Sequence, residues 1–85
     1  MTKPIQIYTT TYCPYCVRAK QLLDKKGAAY TEINVTGDDA ARVALVEKSG
    51  GRKTVPQIFI GETHVGGCDD LYALDKDGKL DALFS

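Results

Sequence analysis

An excess of either charge is missing: 11 lysines and arginines offset 11 aspartates and glutamates. Without net charge there is no field to draw the chain onto nucleic acid or an anionic lipid surface, so neither is expected as a partner. Long apolar runs are missing too, and none approaches the roughly 20 residues that cross a bilayer. The opening residues MTKPIQIYTT hold no apolar leader core, which predicts a cytoplasmic location. Repeats, linkers and low-complexity tracts are absent, so the 85 residues are read as one small domain over 1–85. Cysteine is scarce and odd in number, at three, whereas a secreted disulfide scaffold usually carries an even set. In a reducing cytosol, cysteines more often serve metal binding or catalysis than stapling.

What is present falls into short periodic segments. IQIYT (5–9) is apolar at Ile5 and Ile7 and rich in strand formers. From Pro14 to Lys26 the period becomes helical, with Cys16, Ala19, Leu22 and Leu23 on one face and Gly27 to close it. AYTEINV (29–35) alternates as a second strand. Thr36-Gly37-Asp38-Asp39 marks another helix start, running to about Lys48 and stopped by Ser49-Gly50-Gly51. QIFI (57–60) is a strand, joined through a tight turn at Gly61-Glu62 to THV (63–65). CDDLYALDK opens a third helix at Cys68, with Leu71 and Leu74 as core contacts, and LDALF adds a last helical turn. The order β-α-β-α-β-β-α predicts an α/β fold: a four-stranded mixed sheet with three main helices packed on it.

The cysteines give this frame its chemistry. In TYCPYC (11–16), Pro14 suits the first helical position, which places Cys13 at the N-cap. There its sulfur meets free backbone N–H groups and the positive end of the helix dipole, both of which favour a thiolate. Cys16 falls on the apolar face with Ala19 and Leu23 and is expected to be the shielded sulfur. An exposed, acidic thiol followed by a buried one suits disulfide exchange, the first attacking and the second resolving. Cys13, Cys16, His64 and Cys68 also offer a Cys₃His zinc set, but HVGGC is not a common knuckle and Pro-Tyr inside CxxC favours a helix start. No metal is expected. Cys68 reads first as a buried structural thiol, His64 as a surface residue on its strand, and Tyr8, Tyr30 and Tyr72 as packing residues.

Three segments together resemble the glutaredoxin family: CPYC (13–16), TVPQIFI (54–60) and GGCDDLYAL (66–74). Their order and separation match across nearly the whole chain, and the likeness is to small bacterial dithiol members. The resemblance implies a thioredoxin-like fold, a monomer, and glutathione as reductant and co-substrate. It implies catalytic roles for Cys13, which becomes glutathionylated, and for Cys16, which pairs with it in a redox disulfide and resolves protein disulfides. Glutathione would be held by Tyr15, by Thr54, Val55 and a cis Pro56, by Gly67, Cys68 and Asp69 at the start of the third helix, and by Arg42 reaching its glycine carboxylate. Many relatives carry a lysine shortly before the first active cysteine where this chain has Thr10, and Arg52 and Lys53 are candidates to replace that charge. Clients implied by the resemblance are glutathionylated or disulfide-containing proteins, ribonucleotide reductase among them. Two alternatives stay open: an iron–sulfur carrier dimer built on Cys13 and glutathione, disfavoured by Pro14, and a glutathione-independent redoxin served by thioredoxin reductase, disfavoured by the TVP and GGCDD segments.

Overall fold

The computed structural model describes residues 3–84. Its elements are β1 (Ile5–Thr9), α1 (Pro14–Lys25), β2 (Thr31–Asn34), α2 (Asp39–Lys48), β3 (Gln57–Ile60), β4 (Thr63–Gly66), α3 (Cys68–Lys76) and the short α4 (Leu80–Phe84). The four strands form one sheet in the order β2-β1-β3-β4. β1 runs parallel to β2, with Gln6 opposite Thr31, and antiparallel to β3, with Ile7 opposite Ile58. β4 returns antiparallel beside β3, with a register shift at Ile58/Phe59.

Strand alternation sorts the core into two layers. Ile5, Ile7, Ile58 and Ile60 face one side, where α1 supplies Ala19, Leu22 and Leu23, α3 supplies Cys68 and Leu71, and α4 supplies Leu80. Tyr8 and Phe59 face the other side against Val35, just after β2, and Leu45 of α2. Tyr8 and Phe59 meet edge to face, with ring centroids 5.7 Å apart. α1 and α3 are tied directly, because the Tyr72 hydroxyl donates to the Arg18 carbonyl at 3.0 Å.

The expected strand over 29–35 is shorter than its alternation suggested. β1 first pairs at Thr31, so Ala29 and Tyr30 serve as connection. The second helix begins at Asp39, because Asp38 is extended and its carboxylate accepts from the Ala41 N–H at 3.0 Å, an N-cap that Thr36-Gly37 leads into. α1 ends by a chain reversal at Gly27, φ 67°, which lets Gly27 and Ala28 donate to the carbonyls of Asp24 and Leu23. A side chain at that φ is disfavoured, hence glycine.

Candidate active site

β1 delivers the chain to the site, and Cys13 stands at the N-cap of α1 in an extended conformation, φ −143°. The Cys16 N–H donates to its Sγ at 3.1 Å. Pro14 follows at the first helical position, where a missing N–H removes no helical bond. Cys13 is half-buried, whereas Cys16 is 1% exposed on the inner face of α1. The two sulfurs form a disulfide across a Cα–Cα distance of 5.1 Å. Across the cleft, the Cys13 sulfur lies 3.9 Å from the Val55 carbonyl oxygen. The Val55–Pro56 peptide is cis.

Beside the sulfurs is a cleft of about 170 Å³ built from three segments. α1 contributes Tyr15, the loop before β3 contributes Thr54, Val55 and Pro56, and the start of α3 contributes Gly67, Cys68 and Asp69. Apart from Arg42, these are the residues that the sequence reading assigned to glutathione. α3 is entered through Gly66, φ 115°, where a Cβ would strike the Asp70 carboxylate. That carboxylate accepts from the Gly67 N–H at 2.9 Å and so occupies one of the donors at the helix start.

Arg42 is placed elsewhere. It lines a larger depression of about 560 Å³ on α2, together with Val43, Val46 and Lys53. That hollow is bigger and more apolar than the cleft, but it is the cleft that is lined by Val55, whose carbonyl oxygen lies 3.9 Å from the Cys13 sulfur, so size does not make the hollow the site. Arg52, one of the two candidates for the charge missing at Thr10, lines the cleft itself, with its guanidinium 3.8 Å from the Asp70 carboxylate. Asp70 also borders the cleft.

Burial pushes the Cys68 thiol above its ordinary value, with Asp69 adding to the rise and Arg18 opposing it. It is packed in the core and also borders the cleft, in keeping with a structural thiol. His64 is not the surface residue expected. It is half-buried, stacked on Phe59 and bonded to Gln57, whose side chain is fully buried. A polar residue inside the otherwise apolar run QIFI was the available signal for that pair. Among the described residues, no group of three or more His, Cys, Asp or Glu side chains is arranged to hold a metal ion.

Comparison with known proteins agrees over nearly the full length. The family model described as Glutaredoxin matches residues 5–65. Glutaredoxin of Pseudomonas aeruginosa is 61% identical over 82 residues, covering 96% of each chain. Glutaredoxin 3 of Escherichia coli K12 is 54% identical, over 93% of this chain and 94% of that protein. Among solved structures, a crystal structure of a buckwheat glutaredoxin–glutathione complex superposes with a TM-score of 0.87 at 40% identity, over 96% of this chain and 76% of that one.

Proposed function

The chain belongs to the glutaredoxin family of thiol–disulfide oxidoreductases, and we propose that it works with glutathione to reduce glutathionylated proteins and protein disulfides in a reducing cytosol. The observation that carries this reading is the Cys13 sulfur at the start of α1, bonded by the Cys16 N–H at 3.1 Å and 3.9 Å from the carbonyl oxygen of Val55, which lines the cleft. Backbone N–H donation and the helix dipole both favour the anionic form that attacks sulfur. Glutathione is a tripeptide with carboxylates at both ends and an amine at one. The backbone of Val55 suits its cysteinyl portion, the start of α3 suits its γ-glutamyl carboxylate, and the exposed Asp69 suits its amine. Arg52, the cation that lines the cleft, suits the second carboxylate, a role the family resemblance gave to Arg42.

Each step balances within thiol–disulfide exchange. On a glutathionylated protein, the Cys13 thiolate attacks the glutathione sulfur and expels the protein thiolate, which takes up a proton. The Cys13–glutathione disulfide is then opened by a second glutathione thiolate, which leaves as oxidised glutathione and restores Cys13. On a protein disulfide, Cys13 forms the mixed disulfide and Cys16 attacks the Cys13 sulfur, releasing the client's two thiols. The resulting Cys13–Cys16 disulfide is reopened by two glutathione molecules. The clients proposed are glutathionylated or disulfide-containing proteins, ribonucleotide reductase among them.

A coupled NADPH assay on a glutathionylated peptide tests the reading, with glutathione plus glutathione reductase in one arm and thioredoxin reductase in the other. Turnover is expected only in the first arm. Cys13→Ser is expected to abolish it, while Cys16→Ser keeps it and loses most reduction of a protein disulfide. Equal turnover in the thioredoxin reductase arm would refute glutathione dependence, and sustained turnover by Cys13→Ser would refute the nucleophile.

A further inference from the structure

The loop that carries Val55 is held from behind by a chain of hydrogen bonds that starts outside the cleft. His64 on β4 stacks on Phe59, with centroids 4.8 Å apart and planes inclined by 22°. Its Nε2 lies 2.7 Å from the Oε1 of Gln57. The Gln57 amide nitrogen donates to Thr54 twice, at 3.0 Å to the carbonyl oxygen and 3.2 Å to Oγ1. A carbonyl oxygen only accepts, so the Gln57 nitrogen must face Thr54 and its oxygen must face the histidine. Nε2 of His64 must therefore carry a proton. The Thr54 carbonyl and the Val55 N–H belong to one planar peptide unit, so a donor fixed on the first fixes the direction of the second.

We propose that His64 is a positioning residue for glutathione: its Nε2–H orients the Gln57 amide, which locks the Thr54–Val55 peptide plane in the attitude that presents the Val55 backbone to the tripeptide. This rests on the reading of Val55 as a backbone contact to glutathione. The other end of the same loop is anchored separately. The Ser49 hydroxyl accepts from the Arg52 N–H at 3.1 Å and donates to the Arg52 carbonyl at 2.9 Å. Two fixed ends leave the Thr54–Val55 peptide as the part whose tilt the histidine chain decides. Burial and Arg52 hold the His64 ring below its ordinary value, with Asp70 opposing, so the ring is neutral in neutral solution and its one proton sits on Nε2.

Steady-state kinetics of the full chain on a glutathionylated peptide, with glutathione, glutathione reductase and NADPH, tests this. His64→Leu removes the donor and keeps bulk, and His64→Gln returns a donor near the same place. The KM of His64→Leu for the peptide is expected to rise about fivefold, the equivalent of one ordinary hydrogen bond, with kcat within about twofold. His64→Gln is expected within about twofold of the parent in both. An unchanged KM in His64→Leu, or a fall in kcat alone, overturns the proposal. A parent protein that ignores glutathione sinks the glutathione reading and this one with it, and that failure is visible before any variant is compared. Should His64→Leu not fold, nitrogen NMR of the parent ring decides: a proton on Nε2 supports the chain, and a proton on Nδ1 alone overturns it.

Discussion

Cys13 and Cys68 both stand at helix starts, and burial separates their chemistry. Cys13 is half-buried beside the Val55 carbonyl, whereas Cys68 is 5% exposed and packed among Ile58, Leu71 and their neighbours. Desolvation disfavours a buried thiolate, and at Cys68 it outweighs the opposing pull of Arg18, so the thiol is pushed above its ordinary value. Iodoacetamide added to the reduced, folded protein near neutral pH is therefore expected to modify Cys13 and spare Cys68 until the chain unfolds, as read by peptide mass mapping. Labelling of both at similar rates would contradict this assignment. The roles of single residues were unevenly legible. Cys13 at the N-cap followed from Pro14 alone, because proline fixes where a helix can begin. The Gln57–His64 pair did not, because it depends on how β4 is registered against β3, and the shift at Ile58/Phe59 is not encoded in either strand's alternation.

The same capping geometry serves two helices for different ends. In α1 the acceptor for the third helical N–H is the Cys13 sulfur, and in α2 it is the Asp38 carboxylate. Asp38→Ala is expected to lower stability by about 1 kcal/mol in urea denaturation, with glutathione turnover retained. A loss of activity without a loss of stability would mean that Asp38 does more than cap. Cys13→Ser, by contrast, keeps a good capping oxygen and is expected to fold while losing its chemistry, which makes it a clean functional control. Element positions were readable because each main helix is announced by a cap and closed near a glycine. β2 was overestimated because it lies at the sheet edge with only Ile33 half-buried, so its alternation records little burial. The weak apolar face of α2 buries only Leu45 fully, with Ala41 packed beside it, and nothing in its sequence indicated that Arg42 would turn toward a separate hollow.

For the molecule as a whole, the displaced titrations bracket a pH range of full stability. His64 is held below its ordinary 6.5, first by burial and then by Arg52, against Asp70. As pH falls the unfolded chain takes up that proton first, so the associated stability is whole above 6.5 and drains as pH drops through the lowered folded value. Cys68 is raised above 9.0, so its contribution is whole below 9.0 and drains as pH climbs through the raised value. Glu32 is held below 4.5, first by the Thr9 hydroxyl against burial and then by Lys20, and adds a second, more acidic decline. Denaturation midpoints measured against pH should show His64→Gln losing the first acid decline and keeping the second; an acid limb identical to the parent's would contradict this. The cleft was legible only in pieces, since three distant segments form it and only folding shows that Arg52 joins them while Arg42 does not. α1 and α3 each begin at the cleft, and farther along them the Tyr72 hydroxyl rivets one to the other at the Arg18 carbonyl. A phenol that touches neither sulfur thus helps to hold, from behind, the two helices that open on the cleft.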